Sequence, residues 1–134
     1  MLYIWHLTVT AATTKASPKE EKKSIRTGVI TKIEIKFPAG CRGYVHATLS
    51  HRLTQLMPFN VAGSAAADDE KVEGSFYWEI KDPAPELILR GWSPDATYDH
   101  VITFRVNVMP KTVASMIPVI NLLTKLLRRM GVFR

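Results

Sequence analysis

The chain has 134 residues and a mass of 15.1 kDa, enough for one domain that buries roughly 65–70% of its unfolded surface and too little for two. Apolar residues make up 46% and charged residues 22%, which excludes wholesale disorder. The single cysteine, Cys41, excludes an internal disulfide or a cysteine-rich zinc site.

The opening Met1-Leu2-Tyr3-Ile4-Trp5-His6 lacks a basic lead, and His6, Thr8 and Thr10 interrupt its apolar run, so it does not read as a secretory signal. Tyr3 to Thr13 is rich in aromatic and β-branched residues and reads as a strand. Lys15 to Ser24 is polar and charged, with Pro18 inside, and reads as a flexible linker that would make the strand before it a detachable arm. From Thr27 to Phe37 apolar and charged residues alternate: Val29, Ile33, Ile35 and Phe37 on one side, Lys32, Glu34 and Lys36 on the other. That period of two predicts a half-buried strand. Pro38 to Gly43 is a turn. Tyr44 to Ser50 is a second alternating strand, with Val45, Ala47 and Leu49 inward, and Pro58 closes the segment after it.

Residues 60–71 read as a long polar loop. Val72 to Lys81 alternates again and groups Phe76, Trp78 and Ile80, until Asp82-Pro83-Ala84-Pro85 breaks the ladder. Leu87 to Leu89 is a short strand running into a Gly91–Thr97 loop. His100 to Met109 closes the set, with Ile102, Phe104, Val106 and Val108 inward. The period then changes. Met116, Val119, Ile120, Leu123, Leu126, Leu127 and Met130 recur at helical spacing, with Ser115 as a candidate N-cap and Pro118 in the first turn. Arg128 and Arg129 suit the negative end of the helix dipole. The longest charge-free apolar run, residues 113–124, is far shorter than the about 20 residues a bilayer-spanning helix needs.

These elements predict a mainly β protein: an antiparallel β-sandwich or jelly-roll-like domain over residues 25–110, an N-terminal strand arm and charged linker over 1–24, and a C-terminal basic amphipathic helix within 111–134. Charge divides along the same lines. Residues 1–60 carry nine Lys/Arg against three Asp/Glu, residues 61–110 four against nine, and residues 111–134 five against none. Such a basic–acidic–basic layout either favours head-to-tail association of copies or simply solvates separate surfaces. The acidic middle disfavours a nucleic-acid partner, because phosphate binders concentrate positive charge on one face.

No catalytic motif stands out. The four histidines form no His-x-His or His-Glu-x-x-His pair. Asp95, Asp99 and His100 could be combined into a metal site, and Ser93, His100 and Asp95 into a hydrolytic set, but turn chemistry explains the run equally well and no Gly-x-Ser-x-Gly elbow is present. Gly40 and Gly43 lack the lysine and helix of a phosphate loop, and Cys41 reads as a small turn residue. No cofactor and no metal are expected, and the chain does not read as an enzyme. Trp92 and Tyr77 are the candidates for stacking on a ligand such as a sugar, against a core role. Tyr3, Trp5, Leu7 and Val9 of the arm, with Met116, Ile120, Leu123, Leu127, Arg128 and Arg129 of the helix, are the candidate interface residues for strand addition and helix docking.

The run from Thr27 to Gly43, followed by that from Gly91 to Val106, resembles small β-sandwich virion proteins, the capsid-associated, decoration or vertex proteins of bacterial and archaeal viruses, across residues 25–109. The resemblance implies a subunit of a repeating shell, located in the virion after synthesis in the host cytoplasm, and transfers no catalytic residue. The expected partners are therefore other proteins, further copies of the chain or a capsid shell protein. Two alternatives stand beside it: a module that lies on an anionic membrane or on nucleic acid through its basic helix, and a carbohydrate-binding β-sandwich.

Overall fold

Alternation of period two builds most of the sheet faces in the computed structural model, which describes residues 1–58 and 63–129 and leaves the side chains of residues 112–120 outside the description. The elements are β1 (Leu2–Val9), β2 (Lys19–Ser24), β3 (Gly28–Phe37), β4 (His46–His51), β5 (Thr54–Met57), β6 (Glu70–Ile80), β7 (Glu86–Trp92), β8 (His100–Met109) and α1 (Lys111–Arg129). One sheet has the order β1-β8-β3-β6 and the other β2-β7-β4-β5, antiparallel throughout. The pairs β1/β8, β2/β7, β3/β6 and β4/β5 are those of one long hairpin rolled up so that successive pairs fall in opposite sheets. The β3/β8 and β4/β7 ladders then join the pairs within each sheet. This is an eight-stranded jelly roll.

The registers place the β1–β2, β3–β4, β5–β6 and β7–β8 connections at one end of the roll. Val9 pairs with His100, Lys19 with Gly91, Phe37 with Glu70 and His46 with Trp92 there. The β2–β3, β4–β5 and β6–β7 turns and the start of α1 lie at the other end.

Two expectations change in a physically instructive way. The N-terminal strand is not an arm. It pairs with β8 along its whole length within the chain, from Leu2↔Asn107 to Val9↔His100, and Leu7 and Val9 are completely buried in the core cluster. Its row Tyr3, Trp5, Leu7, Val9 is the inward face of an edge strand, which has more to gain from the core than from solvent. Six of the ten residues of the expected linker are themselves a strand. In β2 (Lys-Glu-Glu-Lys-Lys-Ser) no side chain is buried, so it has no apolar alternation to detect; it forms because its backbone pairs with β7. Charged residues are what a sheet edge uses to discourage pairing with other chains.

A bulge at Thr31 resets the phase of β3. The register shifts between Ile30 and Lys32 against both neighbours, so Ile30 joins Ile33, Ile35 and Phe37 in the core while Val29, fully buried, lies outside that cluster. The Asn107 side-chain amide donates to the Thr31 hydroxyl at 3.1 Å and ties the bulge to β8. The helix also begins earlier than the sequence suggests, directly after Pro110, which puts Ser115 and Pro118 in its interior. It packs against β3, and Lys111 pairs with Glu79 of β6 at 2.9 Å.

If β1 belongs to the core, substitutions along it must alternate in cost. Leu7→Ala should lose about 2–5 kcal/mol of stability, whereas Leu2→Ala, at an outward position 56% exposed, should stay within about 0.5 kcal/mol. Urea unfolding midpoints measure both, and equal costs would show that β1 is not docked.

Candidate functional site

The structure separates the sequence-derived candidates. Tyr3 and Trp5 are half-buried against the core and stack on each other, centroids 5.4 Å apart. The Tyr3 hydroxyl accepts the Arg26 N–H at 3.0 Å. With Leu7 and Val9 buried, this row points into the domain, and the outward row of β1 is Leu2, Ile4, His6 and Thr8. Trp92 is only 8% exposed. The His46 ring stacks on it at 5.8 Å and the Lys15 ammonium lies over it at 5.7 Å, so its faces are not free for a sugar. Tyr77 is exposed, but on the other sheet and toward the other end of the roll. The two expected stacking residues therefore do not form one platform.

Two histidine networks were not legible in the sequence. At the end nearest α1, the indole N–H of Trp78 donates to His51 Nδ1 at 3.1 Å. Nε2 then carries the proton and donates to Asp82 at 2.9 Å. Arg52 holds the other Asp82 oxygen at 2.8 Å, and Thr27 donates to the Asp82 carbonyl. Both ring nitrogens of His51 are occupied, so this is a brace between β4, β6 and the β6–β7 turn. At the other end, His46 Nδ1 bonds the Ser64 hydroxyl at 2.9 Å. Burial pushes the His46 imidazole below its ordinary value of 6.5, with Asp95 opposing and Lys15 adding to the shift. Ser93, one of the hydrolytic candidates, is fully buried and donates to the Thr10 carbonyl. Cys41 is buried too, and burial with nearby Asp68 pushes its thiol up, which makes it a poor nucleophile.

The four connections at the His46 end brace one another. Asp68 accepts the N–H groups of Gly40 and Arg42 at 2.9 and 3.0 Å, Asp99 accepts that of Ala11 at 2.8 Å, and the Ser93 N–H reaches the Thr13 carbonyl at 2.9 Å. Gly40 and Gly43 take positive φ of 95° and 75°, which fits the tight turn around Cys41. Between the β3–β4 and β7–β8 connections lies a cleft of about 1030 Å³ whose lining includes Arg42, Tyr44, Asp95, Tyr98, Asp99 and His100. Asp95, Asp99 and His100 do come together here, but no group of three or more His, Cys, Asp or Glu positioned to hold a metal ion occurs among the described residues.

The outer face of the first sheet carries a lattice of charge. Lys32 bridges Glu34 and Glu73 at 3.0 and 3.4 Å, Lys71 reaches Glu73 at 3.4 Å, and Arg105 approaches Glu34. These contacts raise the Lys32 ammonium and lower the Glu73 carboxyl from their ordinary values. Ion pairs on this face thus join the first part of the chain to its middle within one molecule.

The second half of α1 behaves differently. Leu122, Leu123 and Leu126 are 60%, 56% and 47% exposed, while Thr124 and Leu127 are half-buried. Lys125, Arg128 and Arg129 are exposed as well, and Arg129, two turns on from Leu122, continues the leucine row. Met116 and Ile120 lie among the side chains outside the description. Among the described residues no helix is long and apolar enough to cross a membrane.

No protein-family model matches the chain, and no curated protein sequence matches it. Among solved structures it is similar to a de novo designed double-stranded β-helix (16% identity, 80% of this chain and 99% of that one, TM-score 0.40). It is also similar to a protein derived from the SPBc2 prophage (12% identity, 79% and 94%, TM-score 0.38). Pili of Bacillus endospore appendages are a third (11% identity, 81% and 88%, TM-score 0.31).

His46 gives a pH test of the loop end. A histidine held below its ordinary value refuses in the folded protein a proton that the unfolded chain accepts. Its contribution to stability is therefore complete above about pH 6.5 and is lost as the pH falls through the folded value. The advantage of the unsubstituted protein over His46→Gln should shrink as the pH is lowered from about 8 to about 5, read from urea unfolding; a constant difference would contradict the assignment.

Proposed function

We propose that the protein is a non-enzymatic structural subunit of a repeating shell, a virion component, in which each copy joins its neighbours through α1. An eight-stranded jelly roll serves many unrelated functions, so the fold alone does not choose among them. The observation that carries the reading is the row Leu122, Leu123 and Leu126, left in water on a helix anchored to its own domain at its first residue. Residues 122 and 126 are one turn-spacing apart and residue 123 is adjacent, so the three form a continuous stripe. Exposed stripes of this kind mark interaction surfaces. A stripe of leucines is complementary to itself, so the same surface on two copies can close an isologous contact. Virion localisation and a capsid partner extend this reading, supported by the sequence resemblance over residues 25–109.

A second reading rests on the charges of the helix, where Lys125, Arg128 and Arg129 are exposed and no acidic residue occurs: contact with an anionic lipid surface. Salt separates the two, since apolar self-association survives screening and electrostatic surface binding does not.

Light-scattering mass after size exclusion of the full chain should show a defined oligomer at low and at high salt. Leu122→Lys combined with Leu126→Lys should yield a monomer with an unchanged thermal transition. A monomeric parent protein overturns self-assembly. If that monomer binds vesicles of phosphatidylserine and phosphatidylcholine and releases them in high salt, the second reading replaces the first.

A further inference from the structure

We propose that the cleft between the β3–β4 and β7–β8 connections is a binding site for a neutral saccharide. It lies at the end of the roll away from α1 and does not rest on the assembly reading. Its volume of about 1030 Å³ is at the upper end of the about 300–1,000 Å³ usual for ligand sites.

Two tyrosines carry the argument. Tyr44 and Tyr98 line this cleft and are 49% and 76% exposed, in a domain that packs Phe37 and Phe104 completely away from water. An aromatic face left in solvent offers broad apolar area with a hydroxyl at its edge, which suits a pyranose ring whose C–H groups form apolar faces rimmed by hydroxyls.

The polar lining fits the same chemistry. Arg42 supplies donors only, Asp95 and the second oxygen of Asp99 supply acceptors, and Thr97 and His100 can do both. Sugar hydroxyls donate and accept, so they can satisfy such a mixed set. A phosphate would face Asp95 and Asp99, and a metal ion would face Arg42.

The walls are fixed before a ligand arrives. Asp68 clamps the backbone of Gly40 and Arg42, Asp99 holds Ala11, and the Asp69 N–H reaches the Pro38 carbonyl. Preorganised walls reduce the ordering cost of binding.

The test is amide-resolved NMR titration of the full chain with hexasaccharides of glucose, mannose, galactose, xylose and N-acetylglucosamine, with inorganic phosphate and calcium in separate arms. At least one saccharide should shift amides within residues 39–44 and 95–100. Tyr44→Ala with Tyr98→Ala should weaken that binding about tenfold or more, while the rest of the spectrum reports an intact fold and Tyr77→Ala binds normally. The proposal is overturned if no saccharide shifts these amides, if phosphate or calcium shifts them in place of a sugar, or if binding survives the double substitution.

Discussion

The ladder that β8 makes with both β1 and β3 is the constraint on which the rest of the molecule depends. β8 is the strand that joins the beginning of the chain to its middle, and Ile102, Phe104, Val106 and Val108 face the core from it. Once His100 is opposite Val9 and Met109 opposite Val29, the two ends of the roll are assigned. The β7–β8 connection must emerge beside the β1–β2 and β3–β4 connections, and α1 must begin at the far end. A slip of one residue would turn the whole inward row of β8 to solvent. Thr31 and Asn107 guard against that slip, because the bulge they tie is the point where β3 changes phase against β8.

The same register reinterprets the charge layout. Read linearly, a basic segment followed by an acidic one suggests two sticky surfaces on one polypeptide. Rolled up, the strands that carry those charges become neighbours: Lys32 of β3 meets Glu73 of β6, Glu20 of β2 meets Arg90 of β7, and Arg52 meets Asp82. Exposed pairs of this kind contribute little stability individually. Lys32–Glu73 and Arg52–Asp82 join a cation of the first segment to a carboxylate of the middle, whereas Glu20–Arg90 runs the other way, so the two segments interlock without cancelling each other's charge.

Legibility in the sequence followed burial. Strands whose side chains alternate between core and solvent were readable to within a residue or two: β8 over His100–Met109, β6 through Phe76, Trp78 and Ile80, β3 through Ile33, Ile35 and Phe37. β2 was not, because all of its contribution is backbone pairing and its six side chains stay in or near water. The attachment of β1 was not, because an inward row of Tyr3, Trp5, Leu7 and Val9 looks identical whether the sheet it joins is its own or a neighbour's. For the site, Trp92 stood out by residue type, yet a large aromatic at the end of a strand is worth more to the fold when stacked on His46 than when left open. Tyr44 and Tyr98 are 54 positions apart in the chain, and the β3/β8 and β4/β7 registers bring their loops to one cleft.

A jelly roll with its helix at one end and its braced loops at the other has a built-in direction. The loop end is held by hydrogen bonds between connections, Ala11 to Asp99, Gly40 to Asp68 and Ser93 to Thr13, so its shape does not depend on a neighbour. The helix end is the reverse: Lys111 pins the first turn to Glu79, and Leu122, Leu123 and Leu126 farther along are exposed. Copies joined by that stripe would therefore present their clefts away from the contact. Gly91 shows how tightly the body between the two ends is closed. A Cβ there would lie 2.6 Å from a Val9 methyl, so β7 of one sheet and β1 of the other meet with no room for a side chain.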